Sequence, residues 1–288
     1  MLCQDWYLYL VILFQNSYNI NKRRNEVTAM ATMELHFYSK ALKRITSVNV
    51  ILPEIHKKSE GIGRPEGIYK TLYLLHGLSG DHTNWLRKTS IERYANDYGI
   101  AVVMPAVGRS WYTDTACGEK YLTFVSEELP AICRSYFSGM SDKREDNYVA
   151  GLSMGGYGAM KIALTHPENF CGCASLSGAL DITRKDRPRD LEEWRGLFGY
   201  DLKDFDELTD TEHDVYGLVK KNHAAGIPFP KLFIWCGTED SLLANNHRMR
   251  DLLEELNIKH CYCESEGDHS WKWWDLHIQD ALKFLFAE

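Results

Sequence analysis

The sequence has no excess of basic residues and no stripe of Lys and Arg along any segment. Its 33 Lys and Arg stand against 40 Asp and Glu, which gives a formal net charge of −7 at pH 7. This charge repels phosphate backbones and anionic membrane surfaces, so nucleic acid and membranes are disfavoured as partners. Internal repeats and low-complexity tracts are also lacking, and 44% apolar residues suffice for a sizeable core.

The N-terminal region lacks an apolar run long enough to span a bilayer. The run from Trp6 to Phe14 is too short, follows Asp5 and precedes a polar, basic stretch, unlike a secretion signal. We therefore interpret residues 1–32 as an extension outside the fold and residues 33–288 as one domain. Because Met30 and Met33 directly precede the first predicted strand, we expect translation to begin at one of them.

The eight cysteines lack the density of a disulfide scaffold, since they are spread over 288 residues. We interpret them as reduced thiols of a cytoplasmic protein. Two pairs, Cys171/Cys173 and Cys261/Cys263, place both thiols on one face of a predicted strand. No Cys or His pair elsewhere has the spacing of a tetrahedral zinc site, so the sequence predicts no metal centre.

Short apolar runs alternate with helix-like segments after residue 33, which is typical of a doubly wound α/β sheet. Alternating polar and apolar residues at 34–38 and 47–52 predict a leading antiparallel hairpin. The piece Gly61 to Gly67 is predicted to be a loop. Further strands are predicted at 70–76, 100–105, 147–151, 171–177, 231–236 and 260–265, and helices at 90–98, 121–137, 155–165, 241–256 and 270–286.

The segment from Asp181 to Ile227 departs from this alternation. It is charged and helix-prone, and its aromatic residues Trp194, Phe198 and Phe205 are spaced for shallow packing. We interpret it as a helical insertion over the end of the sheet. The fold class predicted is therefore α/β, a mostly parallel doubly wound sheet with an antiparallel N-terminal hairpin and a helical insertion.

A candidate nucleophile is Ser153, in the pentapeptide Gly151-Leu152-Ser153-Met154-Gly155. An apolar strand precedes this G-x-S-x-G pattern and a helix rich in small residues follows it, as in the nucleophile turn of α/β-hydrolases. Glycines two residues either side let neighbouring backbone approach while the serine hydroxyl stays exposed. A serine that only caps the following helix is the alternative for the pentapeptide alone.

A serine nucleophile needs a base and a carboxylate, in the chain order Ser, acid, His for this fold. Asp240 follows the predicted strand 231–236, at the carboxyl end where parallel strands present functional residues. Glu239 is the competing acid. His269 lies in the loop after the strand 260–265 and is the predicted base. The other histidines beyond the acid, His247, His260 and His277, are interpreted as surface or packing residues.

Negative charge that develops on the substrate carbonyl oxygen requires two backbone N–H donors. Met154, directly after the serine, is predicted to supply the first. The loop His76-Gly77-Leu78-Ser79-Gly80 is predicted to supply the second from Leu78, with Gly77 as the alternative. We assign His76 a structural role, in which its hydrogen bonds hold this loop.

These residues resemble the esterase D or S-formylglutathione hydrolase group of α/β-hydrolases, and within it the bacterial tributyrin esterases. The likeness covers about Met33 to the C-terminus. The sequence stretches that carry it are Leu74-Leu75-His76-Gly77-Leu78-Ser79-Gly80, Trp111-Tyr112-Thr113-Asp114, Gly151-Leu152-Ser153-Met154-Gly155-Gly156-Tyr157-Gly158, Ser177-Gly178-Ala179-Leu180 and Gly237-Thr238-Glu239-Asp240.

The resemblance implies an esterase without metal or cofactor that cleaves short-chain acyl esters, acetyl to butyryl, through an acyl-enzyme. It matches Ser153, Asp240 and His269 to the catalytic triad and Leu78 and Met154 to the oxyanion hole. Acylated sugars are a candidate substrate class by analogy alone. The alternatives on the same triad are an S-formylglutathione hydrolase-type thioesterase and an acyltransferase.

Further features of the family bear on the substrate and on assembly. The sequence lacks the cysteine-bearing oxyanion loop of the S-formylglutathione hydrolase branch, which disfavours a glutathione thioester. Trp85 and Trp111 follow the first two predicted parallel strands and are candidate walls of the substrate pocket, with core packing as the alternative. Homo-oligomers are common in the family, and residues 184–206 are a candidate lid or subunit contact.

Overall fold

A mixed β-sheet forms the centre of the molecule. The computed structural model describes residues 27–57, 61–63, 68–183 and 190–287. Nine strands are found in this part of the chain. They are β1 (Val27–Ser39), β2 (Arg44–Lys57), β3 (Gly61–Gly63), β4 (Thr71–Leu75), β5 (Ala101–Pro105), β6 (Asn147–Leu152), β7 (Gly172–Leu176), β8 (Lys231–Gly237) and β9 (His260–Ser265).

The strand order is β1-β2-β5-β4-β6-β7-β8-β9, with β3 paired to β2 beside this path. Strands β1, β2 and β3 pair antiparallel, and β2 also runs antiparallel to β5. All pairs from β5 through β9 are parallel. The strands β4 to β9 therefore present their carboxyl ends at one edge of the sheet, where α/β proteins place their sites.

Helices cover both faces of the sheet. Their bounds are α1 (Asn84–Lys88), α2 (Ile91–Tyr98), α3 (Tyr121–Thr123, a π-helical turn Phe124–Glu128, then Leu129–Tyr136), α4 (Met154–Thr165), α5 (Leu191–Phe198), α6 (Val215–Ala224), α7 (Leu243–Glu255) and α8 (Trp271–Phe286).

Alternating residues of the central strands build two separate apolar layers. In β4, Tyr73 and Leu75 belong to the core cluster that includes α4 and α6. Leu72 and Leu74 belong to the cluster that includes α2 and α8. This division follows from the two-residue period of a strand, and burial on both faces explains why β4 reads as a continuous apolar run. The predicted doubly wound sheet with its leading hairpin and helical insertion is confirmed.

The structure differs from the sequence interpretation at the N-terminal boundary. Strand β1 begins at Val27, and residues 30–32 pair with Pro53, Leu52 and Ile51 of β2. Residues 27–32 thus belong to the sheet, although the sequence assigned them to the extension. The reason is that β2 extends beyond the predicted hairpin and offers backbone partners to a longer β1. Residues 1–26 lie outside the described residues.

Three local predictions also need correction. Part of the predicted loop at 61–67 forms β3, which pairs through backbone groups that glycine retains. The predicted helix at 121–137 contains the π-helical turn. Trp194 in the insertion is only 2% exposed, because its ring packs against Trp111, Phe198 and Phe205, so the predicted shallow packing is wrong. Residues 184–189 of the candidate lid lie outside the described residues.

Candidate active site

Ser153 lies at the sharp turn between β6 and α4. Its φ of 54° and ψ of −118° are strained for a residue with a side chain. Three backbone hydrogen bonds hold this conformation. The Ser153 N–H donates to Leu176 O at 2.9 Å, and the Ser153 carbonyl accepts from the N–H groups of Tyr157 and Ala179. The strands and helix on either side therefore force the serine into the turn.

The two glycines of the pentapeptide are required by close backbone contacts. A Cβ at Gly151 would lie 2.3 Å from Gly155 O, and a Cβ at Gly155 would lie 2.5 Å from Leu75 O. Both distances are far below van der Waals contact with atoms that cannot move aside. The spacing of glycines in the motif is thus explained by the passage of α4 against β6 and β4.

The structure brings Ser153, His269 and Asp240 together at the carboxyl edge of the sheet. His269 Nε2 lies 3.0 Å from Ser153 Oγ, and His269 Nδ1 lies 2.8 Å from Asp240 Oδ2. The Asp240 side chain is fully buried, whereas the His269 side chain is 34% exposed. The imidazole therefore lies between a buried carboxylate and a serine at the surface.

The carboxylate of Asp240 has several hydrogen-bond donors. Its Oδ1 accepts from the Leu242 N–H at 2.8 Å. Burial alone raises the pKa of Asp240. The hydrogen bond and charge of His269, the Leu242 N–H and a hydrogen bond from Ser177 lower it by more than burial raises it. The pKa of Asp240 therefore lies below its ordinary value. An ionised carboxylate requires the proton on His269 Nδ1, which leaves Nε2 free to accept from the serine hydroxyl.

The loop of residues 76–80, predicted to supply an oxyanion donor, runs beside Ser153. A Cβ at Gly77 would lie 3.5 Å from the Ser153 Cβ. His76 Nε2 accepts from the Val107 N–H at 3.1 Å, so its Nδ1 carries the proton and donates to Gly77 O at 2.7 Å. Burial lowers the pKa of His76, which keeps the ring neutral. The hydrogen bonds of His76 agree with the structural role predicted for it.

The two predicted oxyanion donors are next to Ser153 and Gly77 in the chain. Met154 is the first residue of α4, and Leu78 follows Gly77 in the loop. Among the described residues, neither amide N–H forms a hydrogen bond with the protein. Both amides therefore remain candidates for the oxyanion hole.

The model of the Esterase family matches residues 39–285. The chain belongs to this family. An acetyl esterase of Caldicellulosiruptor saccharolyticus is 35% identical over 263 residues, which cover 89% of this chain and 98% of that protein. The chain is a serine-type carboxylic ester hydrolase, as the sequence predicts.

Two solved structures from Staphylococcus aureus are similar to this esterase. The fluorophosphonate-binding serine hydrolase FphF in its substrate-bound form has a TM-score of 0.82 and 34% identity, with 91% of this chain and 100% of that chain covered. The S-formylglutathione hydrolase FrmB as apoenzyme has a TM-score of 0.79 and 34% identity, with 90% and 100% covered. The family predicted from the sequence motifs is confirmed.

Trp85 and Trp111 do not form the pocket walls that the sequence suggested for them. Trp85 is 1% exposed, and its Nε1 donates to Leu75 O at 3.0 Å beneath the sheet edge. Trp111 is 7% exposed and packs between Tyr157 and Trp194. Both rings lie in the apolar core, where Trp85 has a hydrogen-bond acceptor and Trp111 has aromatic neighbours. The alternative prediction of core packing therefore describes both residues.

Sequence reasoning missed Ser177, which hydrogen-bonds to Asp240, and Trp274, whose ring contacts His269. Ser177 is fully buried with a φ of 47°, and its Oγ accepts from the indole N–H of Trp274 at 3.1 Å. The Ser177-Gly178 stretch was part of the family resemblance, but no role was assigned to it. Its place directly after β7, at the same edge as Ser153, is the signal that could have identified it.

The described residues also bear on metal binding, membrane insertion and the state of the cysteines. No group of three or more His, Cys, Asp or Glu side chains in this part of the chain is arranged to hold a metal ion. No described helix is long and apolar enough to cross a membrane. The described cysteines, including both C-x-C pairs, are free thiols.

Proposed function

We propose that Ser153, His269 and Asp240 form the catalytic triad of an esterase for short-chain acyl esters. The observation that carries this proposal is the continuous contact from Ser153 Oγ through the imidazole to Asp240, at 3.0 Å and 2.8 Å. Ser153 Oγ attacks the ester carbonyl while His269 Nε2 takes the hydroxyl proton. His269 then gives that proton to the departing alcohol, which leaves an acyl group on Ser153.

The second half of the reaction uses the same groups with water as nucleophile. His269 Nε2 takes a proton from water, the hydroxide attacks the acyl carbonyl, and the carboxylic acid departs as Ser153 Oγ recovers its proton. Asp240 holds the Nδ1 proton throughout and stabilises the imidazolium. The amides of Leu78 and Met154 donate to the carbonyl oxygen as it gains negative charge in each half.

The proposed acyl range is acetyl to butyryl. The support is the similarity to an acetyl esterase along 98% of that protein's length. Acylated sugars are the natural substrates we propose to test, by analogy with esterases of similar fold. Preference for tributyrin, a cytoplasmic location and a homo-oligomeric state stay predictions of the sequence.

Hydrolysis of p-nitrophenyl acetate, butyrate and octanoate by the wild type and by Ser153→Ala tests the proposal. We expect the highest kcat/KM on the two short esters, no activity in the variant, and an acyl adduct on Ser153 in the mass spectrum of the wild type. An inert wild type, or a variant that retains its activity, would contradict the triad. An ester formed with an added sugar alcohol would show acyl transfer instead of hydrolysis.

A further inference from the structure

Two loops that carry the proposed acid and base touch through their backbones. The acid loop, Gly237–Asp240, begins at the last residue of β8, and the base loop, Glu266–Ser270, follows β9. A Cβ at Gly237 would lie 2.0 Å from Gly267 O, so only glycine permits this approach. The Thr238 N–H donates to Ser265 O at 2.8 Å at the start of the contact. The relative position of the loops is therefore set by direct contact.

Glu239 and Gly267 form a reciprocal pair of hydrogen bonds across this contact. The Glu239 N–H donates to Gly267 O at 3.0 Å, and Glu239 Oε2 accepts from the Gly267 N–H at 2.6 Å. The other carboxylate oxygen accepts from the Thr238 hydroxyl at 2.8 Å. The Gly267 N–H and the Thr238 hydroxyl lower the pKa of Glu239, so its carboxylate is ionised and its bond to Gly267 is charge-assisted.

Gly267 has little freedom to move once it is held in this way. It is buried, with a φ of 156°. A Cβ there would lie 3.0 Å from the Trp273 ring and 3.3 Å from the Trp235 ring, so two indoles crowd the place of a side chain. His269 follows two residues later and extends from this point to Ser153. The backbone position of Gly267 therefore helps to set the position of the His269 backbone, from which the imidazole extends.

We propose that Glu239 is a positioning residue that fastens the base loop to the acid loop and so holds His269 between Asp240 and Ser153. This inference rests on the triad proposed above. The sequence left Glu239 as the competing acid, but its carboxylate binds a backbone amide of the base loop, whereas Asp240 binds the imidazole. Without Glu239, the buried Gly267 N–H loses its acceptor and the loops lose one of their fastenings.

Two variants of similar length separate the acceptor from the charge. Glu239→Gln keeps an oxygen that accepts from the Gly267 N–H, whereas Glu239→Met has no acceptor. We expect Glu239→Met to lower kcat by up to about 100-fold with KM little changed, because small misplacements of a catalytic group have effects of that size. Glu239→Gln should retain most of the activity. Glu266→Gln, which removes a charge from an exposed base-loop residue, is the matched control and should resemble the wild type.

The rate at which a fluorophosphonate labels Ser153 gives a second readout that does not depend on the ester chosen. Labelling should slow in Glu239→Met in step with kcat and recover in Glu239→Gln. Thermal unfolding and circular dichroism identify any variant that fails to fold. In that event Glu239→Ala is the second variant without an acceptor, and labelling is measured on its folded fraction.

The outcomes distinguish failure of this inference from failure of the proposed function. If the wild type is active and Ser153→Ala is not, but Glu239→Met labels and turns over like the wild type, Glu239 does not position His269. If Glu239→Gln is as inactive as Asp240→Asn, Glu239 acts as the acid and the inference is wrong. If Ser153→Ala stays active, the triad itself is wrong.

Discussion

The indole N–H of Trp274 donates to Ser177 Oγ at 3.1 Å, in a part of the core that water does not reach. The same indole meets the His269 ring edge to face, with the ring centroids 4.9 Å apart. Because a hydrogen bond from Ser177 also helps to lower the pKa of Asp240, this pair contacts both the proposed acid and the proposed base. A residue in the first turn of α8 therefore helps to hold the proposed triad in place.

Trp274→Phe tests this support. The phenyl ring keeps an aromatic surface against His269, but Ser177 loses the donor that fixes its hydroxyl. We expect a loss of about 1–3 kcal/mol in the free energy of unfolding, the usual effect of breaking a buried hydrogen bond. Urea unfolding followed by circular dichroism measures it, and kcat should fall as well. Tyr136→Phe, which removes a polar group from an exposed tyrosine of α3, is the control, and an equal loss there would contradict the prediction.

Asp240→Asn should lower kcat by about 10⁴-fold with the fold intact, because the amide no longer holds the Nδ1 proton of His269 in place. Steady-state hydrolysis of p-nitrophenyl acetate measures the change. Asp268→Asn, an exposed aspartate one residue from His269, tests whether removing any nearby charge has the same effect. Similar losses in the two variants would mean that general electrostatics, and not the contact with Nδ1, explains the activity.

Much of the fold and site was predictable because it depends on local patterns. The strand Leu72–Leu75 is apolar on both faces, as a central parallel strand must be, and Ser153 stands at a strand-to-helix turn whose glycines are visible in the sequence. Asp240 and His269 were found from the chain order of the triad and from the ends of two predicted strands. Parallel strands bring such ends to one edge whatever lies between them.

The features that were missed depend on partners distant in sequence. Ser177 and Trp274 are 97 residues apart, and no local pattern pairs a hydroxyl with an indole at that separation. Trp85 was assigned to a pocket because it follows a strand, but its indole N–H finds the Leu75 carbonyl inside the core. Strand β1 begins at Val27 because β2 extends far enough to pair with it. The residues of β1 alone do not reveal the length of β2.

Gly155→Ala should destabilise the protein and abolish activity, although alanine is normally the better helix residue. Its Cβ would lie 2.5 Å from the Leu75 carbonyl oxygen, so α4 must move away from β4 and carry Ser153 with it. Gly196→Ala in α5 is the matched control, since its Cβ would meet only the Cys117 sulfur at 3.2 Å. We expect that helix substitution to be neutral or to stabilise by up to about 1 kcal/mol. Thermal unfolding of both variants checks the contrast, and equal effects would contradict it.

A buried basic cluster joins helix α4 to the helical insertion. Lys161 of α4 is fully buried, and its Nζ donates to Thr113 Oγ1 at 2.8 Å and lies 3.1 Å from His213 Nδ1. Burial lowers the pKa of Lys161 to about 7. Burial and the adjacent Lys161 lower the pKa of His213 to about 3. Folding therefore disfavours the charged forms of both groups.

The stability of the protein should rise with pH in two windows as a result. Between about pH 3 and 6.5 the unfolded chain binds a proton at His213 that the folded chain lacks, and between about pH 7 and 10.5 the same holds at Lys161. Stability rises with pH wherever the unfolded state binds more protons, so it is lost as the pH falls through each window.

Lys161→Met removes the upper window. Thr113 Oγ1 and His213 Nδ1 lie 3.1 Å apart and retain each other as partners, so the variant should be more stable than the wild type at pH 6 to 7. The difference should shrink as the pH rises through this window, because the lysine is neutral in both states only above it. Urea unfolding at intervals from pH 5 to 10 measures both curves, with Lys220→Met on the exposed face of α6 as the control. A Lys161→Met variant that is less stable at pH 6 would mean that the hydrogen bonds of the ammonium outweigh the cost of burying it.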